Sequence, residues 1–403
     1  MILLYSLTLF VNAALMFIIE PLVAKMILPF LGGSPAVWNA SLAFYQAALL
    51  IGYAYAHYLG AWIGIKRQAV LHLSLVAAAF LLLRVTRPMQ WLSTPAEHPT
   101  QLVLGALTMS IGFPLFVIAA GAPLLQQWFA QSRHSASRDP YFLYAASNAG
   151  SLAGLLAYPA LIEPNLTLNQ QNYYWFHGYL GLALLIALCL LSFLYSSTTR
   201  AVADPDPGAA AAGVGGDGFH DDQFPPSSLL SGVTLYITTD VVSAPLFWVI
   251  PLAAYLLSFI VAFGGARWAT GPFLVRRQAF LLLAAAIIVA VSATSPVYIV
   301  LPLHLLAFFV TAVICHGRLA QDRPPASQLT GFYLWISLGG VLGGLFNALL
   351  APQVFSSVLE YPLMMVAAAF ARPVVSGAEN LAAGKKADWL RPVLLCAAMM
   401  LLL

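Results

Sequence analysis

The sequence predicts an all-α polytopic membrane protein of about 12 transmembrane helices, arranged as two parallel repeats of six. Three observations lead there. Hydrophobic residues make up 61% of the 403 and charged ones only 8%, far from the usage of soluble domains. Apolar runs of about 18 residues or more, each able to cross a hydrocarbon core of roughly 30 Å, recur from the first residue almost to the last. The basic residues fall in alternate loops, as they do when one face of the protein lies in the cytoplasm.

Read in order against the helix breakers, the apolar blocks lie near 2–31, 36–60, 68–86, 101–131, 140–162, 172–197, 229–243, 245–263, 278–294, 296–316, 328–351 and 361–371. The opening run MILLYSLTLFVNAALMF has no basic region and no small-residue cleavage site, so a retained first span is expected and not a signal peptide. The seventh and twelfth blocks are short for a crossing. Between the sixth and seventh lies TTRAVADPDPGAAAAGVGGDGFHDDQFPPSS, Thr198 to Ser228, whose Gly, Ala, Pro and Asp read as a flexible linker. The expected organisation is an N-terminal six-helix bundle at 1–197, a cytoplasmic linker at 198–228 and a C-terminal six-helix bundle at 229–372. A cytoplasmic loop and the start of a further apolar segment occupy 373–403.

With the N-terminus in the cytoplasm, Lys66, Arg67, Arg133, Arg138, Arg200, Arg267, Arg276, Arg277, Arg318, Arg323, Arg372, Lys385, Lys386 and Arg391 all fall inside. Only Arg84 and Arg87 fall outside, and Lys25 sits in or near the first span. The reverse orientation breaks the positive-inside pattern at nearly every loop. Because these cations are scattered, the net charge of +3 does not point to nucleic acid; the expected surroundings are the lipid bilayer. Cys189, Cys315 and Cys396 are far apart in sequence, so neither a disulfide framework nor a thiolate metal site is expected.

The two halves repeat. FLYAASNAGSLAGL (Phe142–Leu155) set on FYLWISLGGVLGGL (Phe332–Leu345) pairs Phe142 with Phe332, Ser147 with Ser337, Gly150 with Gly340 and Gly154 with Gly344. SPAVWNASLAFY (Ser34–Tyr45) set on APLFWVIPLAAY (Ala244–Tyr255) pairs Pro35 with Pro245, Trp38 with Trp248 and Tyr45 with Tyr255. Each match joins a span to the one six later. An even shift keeps the direction of crossing, so the repeats are parallel, which is the plan of the major facilitator fold.

Candidate functional residues are the polar ones an apolar chain keeps inside its spans, since charge there is expensive. Glu20 and Lys25 lie five apart and so do not form the favoured i,i+4 pair. Two readings stay open for them. One has an interfacial carboxylate with Lys25 snorkelling to headgroups; the other has Pro21 breaking the span, so that Glu20 and freed backbone groups bind a cation or proton. Asp240, in YITTDVVSAPLFW, is the matching acid of the second half. Gly150-x-x-x-Gly154 and Gly339-Gly340-x-x-Gly343-Gly344 read first as close helix packing; the alternative is a substrate path with Asn148 and Asn347 as its polar contacts. His57, His72, His304 and His316 show no common depth for haem, and His304, well inside a span, is a candidate proton carrier. Gly213–Gly218, GVGGDG, lacks the flanking strand and helix of a nucleotide loop. Glu163 and Glu360 are read as loop-end carboxylates without partners. No cofactor or metal is expected.

EPLVAKMILPFLGGSPAVWN (Glu20–Asn39), RDPYFLYAASNAGSLAGLLAYPALIEP (Arg138–Pro164), CHGRLAQDRPPASQLTGFYLWISLGGVLGGLFNALLAP (Cys315–Pro352) and the EYP at Glu360 resemble the membrane region of bacterial proteins described as fused major facilitator and spermidine synthase. The resemblance implies a bacterial inner-membrane, major-facilitator-like region, often followed by a soluble aminopropyltransferase-like domain. That domain finds no room before Leu403, so no catalytic residue is carried over and an enzyme is not the expectation. The leading functional expectation is a transporter-like protein for a small solute, with Glu20, Lys25, Asp240, His304, Asn148 and Asn347 as candidate substrate or ion contacts. The alternatives are a membrane scaffold or accessory subunit docking a partner membrane protein, and a polyamine-related membrane enzyme.

Overall fold

The structure, a computed structural model, describes residues 1–31, 35–83, 99–197, 224–241, 248–346, 354 and 360–370. Among these residues there are helices and short turns and no strand. In chain order the helical rods are α1 (Ile2–Leu31), α2 (Pro35–Ile63), α3 (Ile65–Leu82) and α4, which runs from Pro99–Leu107 through a π-helical turn at Thr108–Gly112 into Phe113–Ala130. α5 is Phe142–Ala157 continued by a π-helical turn at Tyr158–Ile162 and by Glu163–Asn165, and α6 is Leu168–Ser197. The second series is α7 (Phe224–Tyr236, then a π-helical turn at Ile237–Val241), α8 (Val249–Phe263), α9 (Pro272–Ala290), α10 (Val297–Gln321), α11 (Leu329–Leu345) and α12 (Glu360–Phe370). The rods follow the twelve apolar blocks of the sequence. Over the described residues α1, α3, α4, α5, α6, α9 and α10 are long and apolar enough to cross a bilayer.

One open alternative falls and one boundary moves. α1 runs unbroken through Pro21 and Pro29, so Pro21 does not end it. Each proline removes one helical hydrogen bond, a loss a packed membrane helix tolerates when its neighbours hold it straight. α7 begins at Phe224, inside the stretch read as linker, and Pro225 and Pro226 occupy its first turn, where an absent N–H leaves no bond unmade. Ser227 Oγ there lies 2.9 Å from the Tyr255 hydroxyl. Residues 198–223, with the Gly213–Gly218 run, lie outside the described residues; so do Arg84, Arg87, Asn347 and 371–403.

Two compact units emerge: Met1–Phe219 with Pro324–Val341, and His220–Arg323 with Leu342–Leu403. In the first, α1 is the central helix. Its backbone lies so close to α5 that a Cβ on Gly150 would stand 2.1 Å from the Phe10 carbonyl oxygen, and one on Gly154 2.6 Å from that of Ala14. Small residues here replace the hydrophobic drive that lipid withholds. Against α4, Asn12 Nδ2 donates to the Ile118 carbonyl at 3.0 Å, and Gly121 leaves the room its Oδ1 needs. Against α6, Trp175 Nε1 donates to Leu15 O at 2.9 Å and the Tyr5 hydroxyl to Cys189 O at 3.0 Å.

The start of α11 also belongs to this first unit, which hydropathy has no means of showing. The fully buried Tyr333 donates its hydroxyl to Gln126 Oε1 at 2.6 Å, and its ring stacks on Tyr144 at 4.9 Å. Tyr141 donates to Pro324 O at 2.7 Å, and His57 Nδ1 meets Thr330 Oγ1 at 3.1 Å.

In the second unit α10 packs against both α8 and α9. His316 Nδ1 meets Ser258 Oγ at 2.7 Å, with its ring stacked on Phe259 at 3.6 Å. Buried Gln278 donates to Thr311 Oγ1 and to Ala368 O, each at 3.3 Å. In the first unit Gln68, also buried, donates to Ala56 O at 3.0 Å. Gln68 follows Lys66-Arg67 and Gln278 follows Arg276-Arg277, at the spacing that separates Pro35 from Pro245. One buried glutamine after one basic pair in each half is a further mark of the repeat.

Candidate functional site

In the first unit Glu20 and Lys25 sit on the C-terminal part of α1. Glu20 is about 27 Å along the helix from Ile2. It is partly buried, and among the described residues its carboxylate has no hydrogen-bond or ion-pair partner. The Tyr45 hydroxyl of α2 reaches the Glu20 backbone oxygen at 3.4 Å, and the Tyr45 ring lies edge-on to Phe44 at 5.6 Å. Lys25 has a different fate. It pairs with Glu163, which the π-helical end of α5 carries to it, and each side chain is 40% exposed. Glu163 is therefore not the partnerless carboxylate that its loop position suggests. Asn148 is buried beside the Gly150 seam and donates Nδ2 to Tyr144 O of its own helix at 2.9 Å. Asn347, its counterpart in the sequence, lies outside the described residues.

In the second unit the structure assembles a cluster around His304. The ring is fully buried on α10, and Nδ1 meets the hydroxyl of Tyr361 of α12 at 2.8 Å. Tyr236 of α7 stacks on Tyr361 at 5.6 Å and lies tilted against His304 at 4.7 Å. His304 Nε2 and the Tyr236 hydroxyl are both buried without a hydrogen-bond partner among the described residues. A buried polar atom left unmatched is costly, so such a pair is where a proton, water or solute group gains most by binding. Asp240 stands one turn beyond Tyr236, exposed, on the π-helical turn. Turns of that kind recur at functional positions because the extra residue re-aims side chains.

Sequence reasoning missed Tyr45, Tyr236 and Tyr361. The available signals were Tyr236 four residues before Asp240 and Tyr361 inside the EYP motif; hydropathy treats both as ordinary apolar aromatics. A further set of unmatched buried atoms falls on α2, α3 and the end of α4: the Tyr55 hydroxyl, Gln68 Oε1, both nitrogens of His72, Gln127 Oε1 and Trp128 Nε1. The His72 ring stands 6.1 Å from Tyr55 and 6.2 Å from Trp128. His304 and His316 are about 18 Å apart along α10 and do not converge. Among the described residues no three His, Cys, Asp or Glu side chains gather as a metal site would need.

No protein-family model matches the chain. No curated protein matches it in sequence. Solved structures do match in shape. The proton:xylose symporter XylE bound to 6-bromo-6-deoxy-D-glucose is 12% identical with a TM-score of 0.57, covering 92% of this chain and 94% of its own. A bacterial homologue of the iron transporter ferroportin, outward-facing with soaked iron, is 13% identical at a TM-score of 0.57, covering 98% of both chains. The human organic anion transporter MFSD10 (TETRAN) is 14% identical at 0.52, covering 99% of both. At such identities the likeness speaks for architecture alone, and it does so over nearly the whole length: the chain has the twelve-helix major facilitator fold.

Proposed function

We propose that the protein is a secondary transporter of a small solute in the bacterial inner membrane, with its N-terminus in the cytoplasm. The observation that carries this reading is polar groups left unmatched inside a major facilitator fold. Glu20 in one unit, and Asp240 with His304 Nε2 in the other, have no partner among the described residues. Intramembrane ionisable groups are expensive and are kept where they contact what is moved. Glu20, Asp240 and His304 are the solute or ion contacts in this reading. Lys25 braces the outer end of α1 through Glu163, and Asn148 and Asn347 are polar contacts of secondary weight. The structural relatives named for a sugar, iron and organic anions support transport of a small solute and do not narrow which one. The resemblance of Glu20–Asn39 and Cys315–Pro352 to the membrane part of the major facilitator and spermidine synthase fusions supports the same membrane role and adds no chemistry. The test is solute flux in reconstituted vesicles: Glu20→Gln and Asp240→Asn each impair it, and unchanged flux in both removes the site assignment.

A further inference from the structure

Half of the buried side-chain polar atoms without a hydrogen-bond partner among the described residues fall on one seam of the first unit, where α2, α3 and the end of α4 meet. They are the Tyr55 hydroxyl, Gln68 Oε1, both nitrogens of His72, Gln127 Oε1 and Trp128 Nε1. None of these groups is among the solute contacts of the transporter reading. Gln68, His72 and Trp128 are each 0% exposed. A buried donor or acceptor left unmatched is costly, and native structures keep few of them. So many gathered at one place call for a shared partner.

The atoms form a continuous strip. Gln68 and His72, four residues apart, share one face of α3 about 6 Å apart along its axis. At the level of His72, its ring stands 6.1 Å from that of Tyr55 and 6.2 Å from that of Trp128. At the level of Gln68, Gly60 of α2 faces both amides: a Cβ there would lie 3.2 Å from Gln68 Nε2 and 3.6 Å from Gln127 Oε1. Gln127 and Trp128 are consecutive, so the end of α4 serves both levels.

The chemistry of the strip selects its ligand. Trp128 Nε1 only donates, Gln68 Oε1 and Gln127 Oε1 only accept, and the Tyr55 hydroxyl and a neutral imidazole do both. The partner must therefore give and take hydrogen bonds. No carboxylate, ammonium or guanidinium belongs to the set, since Lys66 and Arg67 on the same helix are exposed, so an ion finds no counter-charge there. Rings about 6 Å apart are in mutual contact, which leaves places for single small molecules at their edges and none for a larger solute. Water satisfies each of these conditions, with two to four polar partners within reach of a site.

We propose that this seam binds a short file of internal water molecules held between Tyr55 and Gly60 of α2, Gln68 and His72 of α3, and Gln127 and Trp128 of α4. Beside the bond from Gln68 Nε2 to Ala56 O, this water supplies the polar contacts that fasten α3 to its neighbours. The test is brief X-ray radiolysis of the full chain in nanodiscs, read by mass spectrometry, because hydroxyl radicals born from bound water oxidise the side chains that hold it. Trp175 is the internal control: it is as deeply buried, at 4% exposed, but its Nε1 is bonded to Leu15 O. Trp128 is expected to oxidise about fivefold faster than Trp175 or more. Tyr55→Phe removes one hydroxyl and keeps the ring that lies edge-on to Phe116 at 5.3 Å. It is expected to slow the oxidation of Trp128 and to lower the thermal midpoint, since the water loses a partner. In a dry seam the same change deletes an unmatched group and raises the midpoint. Trp128 reacting no faster than Trp175, or a raised midpoint in Tyr55→Phe, overturns the proposal.

Discussion

Gly150→Ala tests the packing on which the first unit depends. The added Cβ would stand 2.1 Å from the Phe10 carbonyl oxygen and 2.7 Å from the carbonyl carbon, both backbone atoms with no rotamer to escape into. Relief requires α1 and α5 to part by about 1 Å, and a gap of that size forfeits roughly a quarter to a half of each dispersion contact along the seam. Overpacking of a core costs about 1–3 kcal/mol, and a backbone clash belongs at the top of that range. The control is Gly181→Ala in α6, where nothing lies within 4 Å of the new methyl group. There the helix preference of alanine stabilises by up to about 1 kcal/mol. Thermal unfolding is followed by the reaction of the buried thiols Cys189 and Cys315 with a thiol-reactive dye, in a Cys396→Ser background. A midpoint lowered by about 5 °C is expected for Gly150→Ala and no fall for Gly181→Ala. If the two variants melt together with the parent protein, the close approach of α1 and α5 is wrong.

Three further predictions follow from individual contacts. Tyr333→Phe strips Gln126 Oε1 of its donor and is expected to destabilise by about 1–3 kcal/mol, whereas adding Gln126→Leu recovers part of that because neither partner is then left unmatched; thermal melts of the single and double variants check it. His304→Phe and Tyr361→Phe are expected to be non-additive by about 0.5–3 kcal/mol in a double-mutant cycle, since each removes one side of the same bond. For the orientation, a membrane-impermeant maleimide is expected to label Thr167→Cys, in the turn between α5 and α6, in intact cells, and Lys66→Cys only after permeabilisation; the reverse pattern places the N-terminus outside.

Much of the fold was legible because the bilayer imposes a single requirement on the chain. A crossing helix needs about 20 apolar residues and leaves breakers at its ends, so block boundaries such as 2–31 and 172–197 can be read from hydropathy. The Gly150-x-x-x-Gly154 run was legible for a related reason: small residues at that spacing have few uses beyond letting helices touch. Of the two readings left open at Glu20, the one with a break at Pro21 is not what α1 adopts, because a proline in a packed membrane span need not end it. The site was legible only as a list of expensive residues. Glu20, Lys25, Asp240 and His304 stand out by cost, but cost is blind to partnership.

The amino-acid sequence alone therefore determined the membrane setting, the twelve helical blocks and the doubled plan, since each depends on the order of polar and apolar residues along the chain. Only the tertiary structure decided that Lys25 is held by Glu163 while Glu20 is not, that Tyr236 and Tyr361 close around His304, and that the start of α11 joins the first unit through Tyr333 and Gln126. These pairings bring together side chains from different helices, distant in sequence. Hydrogen bonds and ion pairs act over a few ångströms, so their partners are chosen by how helices pack, and one-dimensional periodicity carries no record of that choice.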